Sequence, residues 1–211
     1  MATAEGQNTL DAPAAWRLIL ASSSPRRREL LASSGRRFEV VPPSIPEPVR
    51  DWALLSPTET AEALAYFKAR SVRQAHPRAW VLGADTVVAC EGRILGKASG
   101  ADEAEAMLRK LSGTRHAVIT GVALLGPPSR RLIASDTTHV TMRRMSDQEV
   151  RQYIESGEWK DKAGAYAIQE TADRFVEVVE GSFTNVVGLP MELVERMLAT
   201  LDAQPPAERE V

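Results

Sequence analysis

Short apolar runs, punctuated by turn residues and helix-start signals, organise this chain. Arg17-Leu18-Ile19-Leu20-Ala21 predicts a short buried strand. Ser24-Pro25 then predicts a helix through about Ser34, with Ser24 as N-cap, Pro25 at the first helical position and Gly35 as stop. A strand around Phe38–Val41 leads into a Pro-rich loop, and the capping box Ser56-Pro57-Thr58-Glu59 opens a long helix to about Ala75. Trp80–Cys90 reads as a strand interrupted at Gly83-Ala84-Asp85-Thr86, and Glu91-Gly92-Arg93 turns the chain into Ile94-Leu95. An amphipathic helix follows at 101–112, stopped by Gly113. Two β segments, 115–125 and 131–143, flank a Gly126-Pro127-Pro128 turn. A second capping box, Ser146-Asp147-Gln148-Glu149, predicts a helix ending at Gly157. Phe175–Val179 predicts a strand, and Pro190 opens a last helix to about Leu201. Strands and helices alternate around a central hairpin. The expected fold is α/β, a mixed twisted sheet flanked by helices. Residues 16–202 read as one domain, with 1–15 and 203–211 as mobile, disordered tails.

Composition narrows the functional classes. The net charge of −2 gives no global reason to bind nucleic acid or an anionic membrane, so positive charge for an anionic ligand must be local. Cys90 is the single cysteine, which excludes an intrachain disulfide and a thiolate metal cage; its apolar neighbours make it a small buried thiol. No apolar stretch approaches a membrane span, and Met1–Ala15 has neither the basic start nor the apolar run of a signal peptide. These features point to the cytoplasm. The 26 basic residues divide into 21 arginines and 5 lysines, so each lysine stands out.

The first helix breaks an electrostatic rule. Its opening positions hold Arg26, Arg27 and Arg28, where the two capping boxes place an acid. Cations at a helix N-terminus cost about 0.3–1 kcal/mol each near the surface. One explanation is an anion site that combines free N–H groups, the serine run Ser22-Ser23-Ser24 and arginines able to fork onto phosphate. Because successive helical residues lie about 100° apart, two of the three can serve it, with Arg28 as the bystander. A solvated arginine run on a surface helix is the alternative.

Leu18-Ile19-Leu20-Ala21-Ser22-Ser23-Ser24-Pro25-Arg26-Arg27 resembles the N-terminal signature of the Maf family of nucleoside triphosphate pyrophosphatases. Lys68-Ala69, Gly83-Ala84-Asp85-Thr86, Gly96-Lys97, Leu111-Ser112-Gly113, Asp161–Tyr166 with Ile168-Gln169, Gly181-Ser182-Phe183 and Asn185–Pro190 follow in family order, covering roughly 17–200. Ala98, Ala167 and Phe67 depart from the usual pattern without removing a charged group. The resemblance implies a Maf/ITPase-like fold with two lobes around a central cleft. It also implies hydrolysis of a nucleoside triphosphate to monophosphate and pyrophosphate, a divalent metal (Mg, Mn or Co) and a homodimer. Arg26, Thr86 and Gln169 match the subfamily acting on dTTP and UTP; members acting on 7-methyl-GTP carry Trp, Gln and Glu there.

Attack of water on the α-phosphorus requires cations for the leaving group and a carboxylate to hold metal or take a proton. Asp85, taken to follow its strand where Gly83-Ala84 lets the backbone turn, is the candidate metal ligand or general base, and the resemblance makes it the proton acceptor. A turn-forming aspartate is the alternative. Lys68, Lys97 and Arg27 are assigned to catalysis, and Ser24, Arg26 and Lys162 to the phosphates. Thr86 and Gln169 are assigned to the base, and Glu47 is a second candidate metal residue. Asn185 is open between a structural and a site role, and the histidines read as packing or surface residues. Two other readings remain: the same chemistry on another triphosphate such as CTP, and a non-enzymatic regulator of septum formation and cell division.

Overall fold

The structure is a computed structural model that describes residues 16–44, 55–169 and 171–203. One seven-stranded mixed sheet runs through it in the order β2-β1-β3-β5-β6-β7, with β4 also paired to β3. The strands are β1 (Leu18–Ala21), β2 (Glu39–Val40), β3 (Trp80–Cys90), β4 (Arg93–Leu95), β5 (Arg115–Gly126), β6 (Arg130–Met142) and β7 (Val176–Glu180). The helices are α1 (Pro25–Ala32), α2 (Pro57–Ala75), α3 (Ala101–Leu111), α4 (Asp147–Ser156), α5 (Phe183–Val187) and α6 (Met191–Asp202). β1 runs parallel to β2 and β3, whereas β3, β5, β6 and β7 form an antiparallel meander. The mixed sheet expected from the alternating elements is therefore present.

The helix-start signals act as their chemistry dictates. Ser56 and Ser146 form complete capping boxes with Glu59 and Glu149, and Gly157 ends α4 in the left-handed region at φ 74°. Ser24 caps α1 with Pro25 behind it, and the first turn contains no acid. Sequence patterning missed α5 and the 3-10 turn Thr171–Phe175, both too short to show a period.

β3 is where the sequence reading needs correction. It is unbroken across Gly83-Ala84-Asp85-Thr86, so Asp85 sits mid-strand and the Gly-Ala pair makes no turn. The glycine serves packing instead. A Cβ on Gly83 would lie 2.5 Å from the Ala65 carbonyl oxygen and 2.8 Å from the Ala69 nitrogen, and one on Gly121 would lie 2.3 Å from the Ala61 carbonyl. Helix α2 therefore rests its small side chains Ala61, Ala65 and Ala69, all fully buried, directly on the backbone of β3 and β5.

β3 also has an interrupted edge. β5 covers one side from Val81 to Ala89. On the other side β1 pairs with Trp80–Gly83 and β4 with Val88–Cys90, which leaves Ala84–Val87 without a neighbouring strand there among the described residues. Core clusters lie on either side of this gap, one around Leu20, Leu82 and Leu198, the other around Leu108, Tyr153 and Phe175.

Gly121→Ala should cost about 1–3 kcal/mol, because the atoms met are helix backbone and cannot rotate aside. Urea denaturation reads this as a lower midpoint at constant slope; an unchanged midpoint would show that α2 does not rest on this strand so closely.

Candidate active site

The gap in β3 opens into a cavity of about 1490 Å³. Its walls come from the β1–α1 junction, α2, the segment of β3 at the gap, the end of β4, the loop after α4 and the end of α5. Ser24, Arg26, Arg27, Lys68, Asp85, Thr86, Lys97, Lys162 and Gln169 all line it. Sequence reasoning thus picked out residues from five separate segments that the fold brings to one place. Arg28, the expected bystander, is exposed and lies outside the lining. Glu47 lies outside the described residues.

Each side chain reaches the cavity for a local reason. β1 ends at Ala21, and Ser22 bonds back through its N–H to the Leu20 carbonyl (3.1 Å) while its Oγ accepts from the Ser24 N–H (3.1 Å), which folds the serine run over the gap. α1 then starts against the cavity, its N-terminus presented as positive partial charge. Lys68 comes from α2, brought down on the sheet by the glycine packing described above. The alternation of a strand puts Asp85 on the face of β3 under α2 and Thr86 on the opposite face. Both reach the cavity because no strand among the described residues shields that edge.

Lys97 and Lys162 are tied together by backbone. Lys97 bridges to Ala163, and the Gly164 N–H donates to the Gly96 carbonyl (3.0 Å). The loop is strained: Asp161 and Ala165 hold φ of 61° and 59°, although both carry a Cβ. Gly164, at φ 68°, passes so close to Val88 that a Cβ would meet its side chain at 3.0 Å. The Lys162 ammonium donates to the Glu158 carbonyl at 2.5 Å, at the cavity wall.

Two contacts define the electrostatics. Lys68 Nζ pairs with Asp85 Oδ1, their side chains only 22% and 13% exposed, so the charges meet in a medium poorer than water and the pair is correspondingly stronger. Arg27 Nε donates to the Gly188 carbonyl at 2.7 Å and its Nη2 to Thr86 Oγ1 at 3.1 Å. Burial pulls the Arg27 guanidinium below its usual value; the Asp85 carboxylate opposes this and Arg26 adds to it. The arrangement offers a carboxylate held among cations beside a helix N-terminus, a site for a polyanion with a group able to take a proton.

Thr86, Gly188 and Asn185 are held by contacts that the sequence alone does not specify. The Thr86 hydroxyl faces Arg27 and Thr120 (2.9 Å to Thr120 Oγ1). Asn185 is fully buried, its Nδ2 donating to the Val118 carbonyl (2.9 Å) and Thr138 Oγ1 (3.0 Å), which decides for a structural role. Gly188, the C-cap of α5, gives Arg27 its carbonyl, and Asp161 also lines the cavity. Nothing in the local sequence marks Thr120; only the β3–β5 register sets it opposite Thr86.

A model of the Maf-like proteins matches residues 17–201. The chain belongs to the Maf-like family. Among its relatives, a dTTP/UTP pyrophosphatase from Geobacillus sp. (strain WCH70) is 45% identical over 184 residues, 87% of this chain and 97% of the relative. Another protein of that description, from Caldicellulosiruptor bescii, is 47% identical over 190 residues, 88% and 94% of the two chains. A solved structure of a HAM1 protein from Coxiella burnetii aligns over 90% of this chain and 100% of its own with 17% identity and a TM-score of 0.45, too distant to bear on function. No helix among the described residues of this Maf-like chain is long and apolar enough to cross a membrane.

Behind the cavity wall, His116 Nε2 and the Tyr166 hydroxyl lie 2.7 Å apart, and His116 is 2% exposed. Burial, with His139 nearby, lowers the His116 pKa from 6.5 to about 4. Between those values the unfolded chain binds a proton that the folded chain refuses, so stability rises with pH across the window and is lost as pH falls through it. The loss should approach about 3 kcal/mol between pH 6.5 and pH 4. Denaturant titrations at several pH values should show this slope in the wild type and a shallower one in His116→Gln; equal slopes would exclude His116 as the source.

Proposed function

We infer that this chain hydrolyses nucleoside triphosphates to monophosphate and pyrophosphate, with dTTP and UTP as substrates, and so removes nucleotides before they enter nucleic acid. The observation that carries the reading is one cavity holding Asp85 among Arg26, Arg27, Lys68, Lys97 and Lys162. Relatives at 45% and 47% identity over most of their length are dTTP/UTP pyrophosphatases.

In this reading the triphosphate lies against the N-terminus of α1, where Ser24 and Arg26 contact it and Arg27 is already oriented by Gly188 and Thr86. Water adds to the α-phosphorus, the bond to the bridging oxygen breaks, and pyrophosphate leaves among the lysines. The Asp85 carboxylate takes the proton of the attacking water. Before that, Lys68 must share or release Asp85, and the incoming phosphates, as competing anions, draw its ammonium away. Gln169 stands for recognition of the base, since an amide can both donate and accept along its edge.

Asp85 also suits a divalent cation. Among the described residues no group of three or more His, Cys, Asp or Glu side chains forms a cage. A single carboxylate beside a polyphosphate site fits a hard ion such as Mg, Mn or Co, which keeps waters and takes its other ligands from the substrate. Asp85 would hold the ion, with Glu47 as the second proposed ligand, and the ion would supply charge neutralisation on the phosphates. A homodimer accompanies this reading through the family resemblance, and a cytoplasmic setting through the sequence features given above.

Pyrophosphate release measured over a panel of dTTP, UTP, CTP, GTP and 7-methyl-GTP should favour the first two; preference for 7-methyl-GTP would sink the substrate assignment. Asp85→Asn should lower turnover by roughly 10²–10⁴ with an unchanged circular dichroism spectrum. Near-normal turnover would remove Asp85 from proton transfer. Arg26→Ala should raise KM, whereas Arg28→Ala, outside the cavity, should leave the kinetics within about twofold.

A further inference from the structure

Both of the contacts that hold Arg27 lead back to α5. One is direct, through the Gly188 carbonyl at the helix C-cap. The other passes through a line of hydroxyls: Arg27 Nη2 to Thr86 Oγ1 (3.1 Å), Thr86 Oγ1 to Thr120 Oγ1 (2.9 Å), Thr120 Oγ1 to the Asn185 carbonyl (3.1 Å).

The chemistry of the two ends sets the direction of this line. A guanidinium can only donate and a backbone carbonyl can only accept, while each hydroxyl has one proton. Thr120 therefore spends its proton on Asn185, Thr86 must donate to Thr120, and the Thr86 oxygen is left to accept from Arg27. No other proton order satisfies all three contacts. Asn185 is itself fully buried and bound through Nδ2 to Val118 and Thr138, and Thr138 in turn donates to the Ser182 carbonyl at 2.9 Å.

We propose that Thr120, fully buried and absent from the cavity wall, is a positioning residue that polarises Thr86 and so fixes the Arg27 guanidinium for the substrate's phosphates. This rests on the pyrophosphatase reading above and extends it. It also gives Thr86 a part in catalysis distinct from base recognition: its one proton is committed internally and its oxygen already serves Arg27. In a buried relay of this kind each bond polarises the next, so loss of a distant member is felt at the charged end.

Thr120→Val keeps the β-branched shape and removes the hydroxyl, so the Thr86 proton loses its acceptor and the Thr86 oxygen is no longer held in place for Arg27. We expect kcat/KM to fall roughly 10- to 100-fold for dTTP and UTP alike, the scale of one hydrogen bond to a charged group. Thr120→Ser, which retains the hydroxyl, should stay within about threefold of the wild type. In an Arg27→Lys background Thr120→Val should cost little more, because the group it positions is gone. A readout independent of turnover is rotation of the Arg27 guanidinium, followed by 15N line shapes at its terminal nitrogens, which should be faster in Thr120→Val than in the wild type. Should Thr120→Val not fold, Thr120→Cys, a weak donor, replaces it in every arm.

The proposal is overturned by wild-type kinetics and line shapes in the folded variant, by a loss that Thr120→Ser shares, or by a loss that adds in full to Arg27→Lys. A wild-type protein that releases no pyrophosphate would instead defeat the pyrophosphatase reading, and the line shapes would then decide the relay alone.

Discussion

The edge of β3 between Ala84 and Val87, unpaired among the described residues, is the constraint on which the rest of the structure turns. A strand paired on both sides offers a ligand only the tips of side chains on one face. Where β1 stops and β4 has not begun, a ligand can approach the strand edge-on and meet residues of both faces. Asp85 and Thr86 are neighbours in sequence that alternate across the sheet, and this edge is the reason they share a cavity. The same interruption makes room for the start of α1, so the positive end of a helix and an aspartate face one volume.

Close packing supplies the second condition. Glycines in β3 and β5 and alanines in α2 let helix and sheet approach until backbone touches backbone, which brings Lys68 down to Asp85. A charged pair of such low exposure needs its partners fixed, because either charge alone would be left poorly solvated. Arg27 meets the same demand through neutral acceptors, the Gly188 carbonyl and the Thr86 hydroxyl, which orient the guanidinium without neutralising it. The protein thus holds one cation paired and another oriented by neutral groups, two ways of keeping positive charge at the cavity wall.

Local signals were legible where the physics is local. Ser56 and Ser146 cap their helices because a hydroxyl and a glutamate three residues on can satisfy the orphan N–H groups by themselves. The three arginines after Ser24-Pro25 were visible as a break with that pattern, and helical angle alone limited to two the number that can share one ligand. The reading of β3 went wrong at Gly83-Ala84 because glycine has two uses, turning a chain and admitting a close neighbour, and the neighbour here is a helix far along the sequence. Short elements such as α5 carry too few residues to show a period.

By itself, then, the sequence determined the helix starts, the alternation that yields a mixed sheet, the charged residues and their family order. Each of these depends on residues within a few positions of one another, or on residue identity. Only the tertiary structure decided that β1 ends short of Asp85, that Thr120 stands opposite Thr86, and that Gly188 closes on Arg27. Those facts are matters of strand register and of packing between distant segments, which backbone hydrogen bonds and excluded volume settle only once the chain has folded.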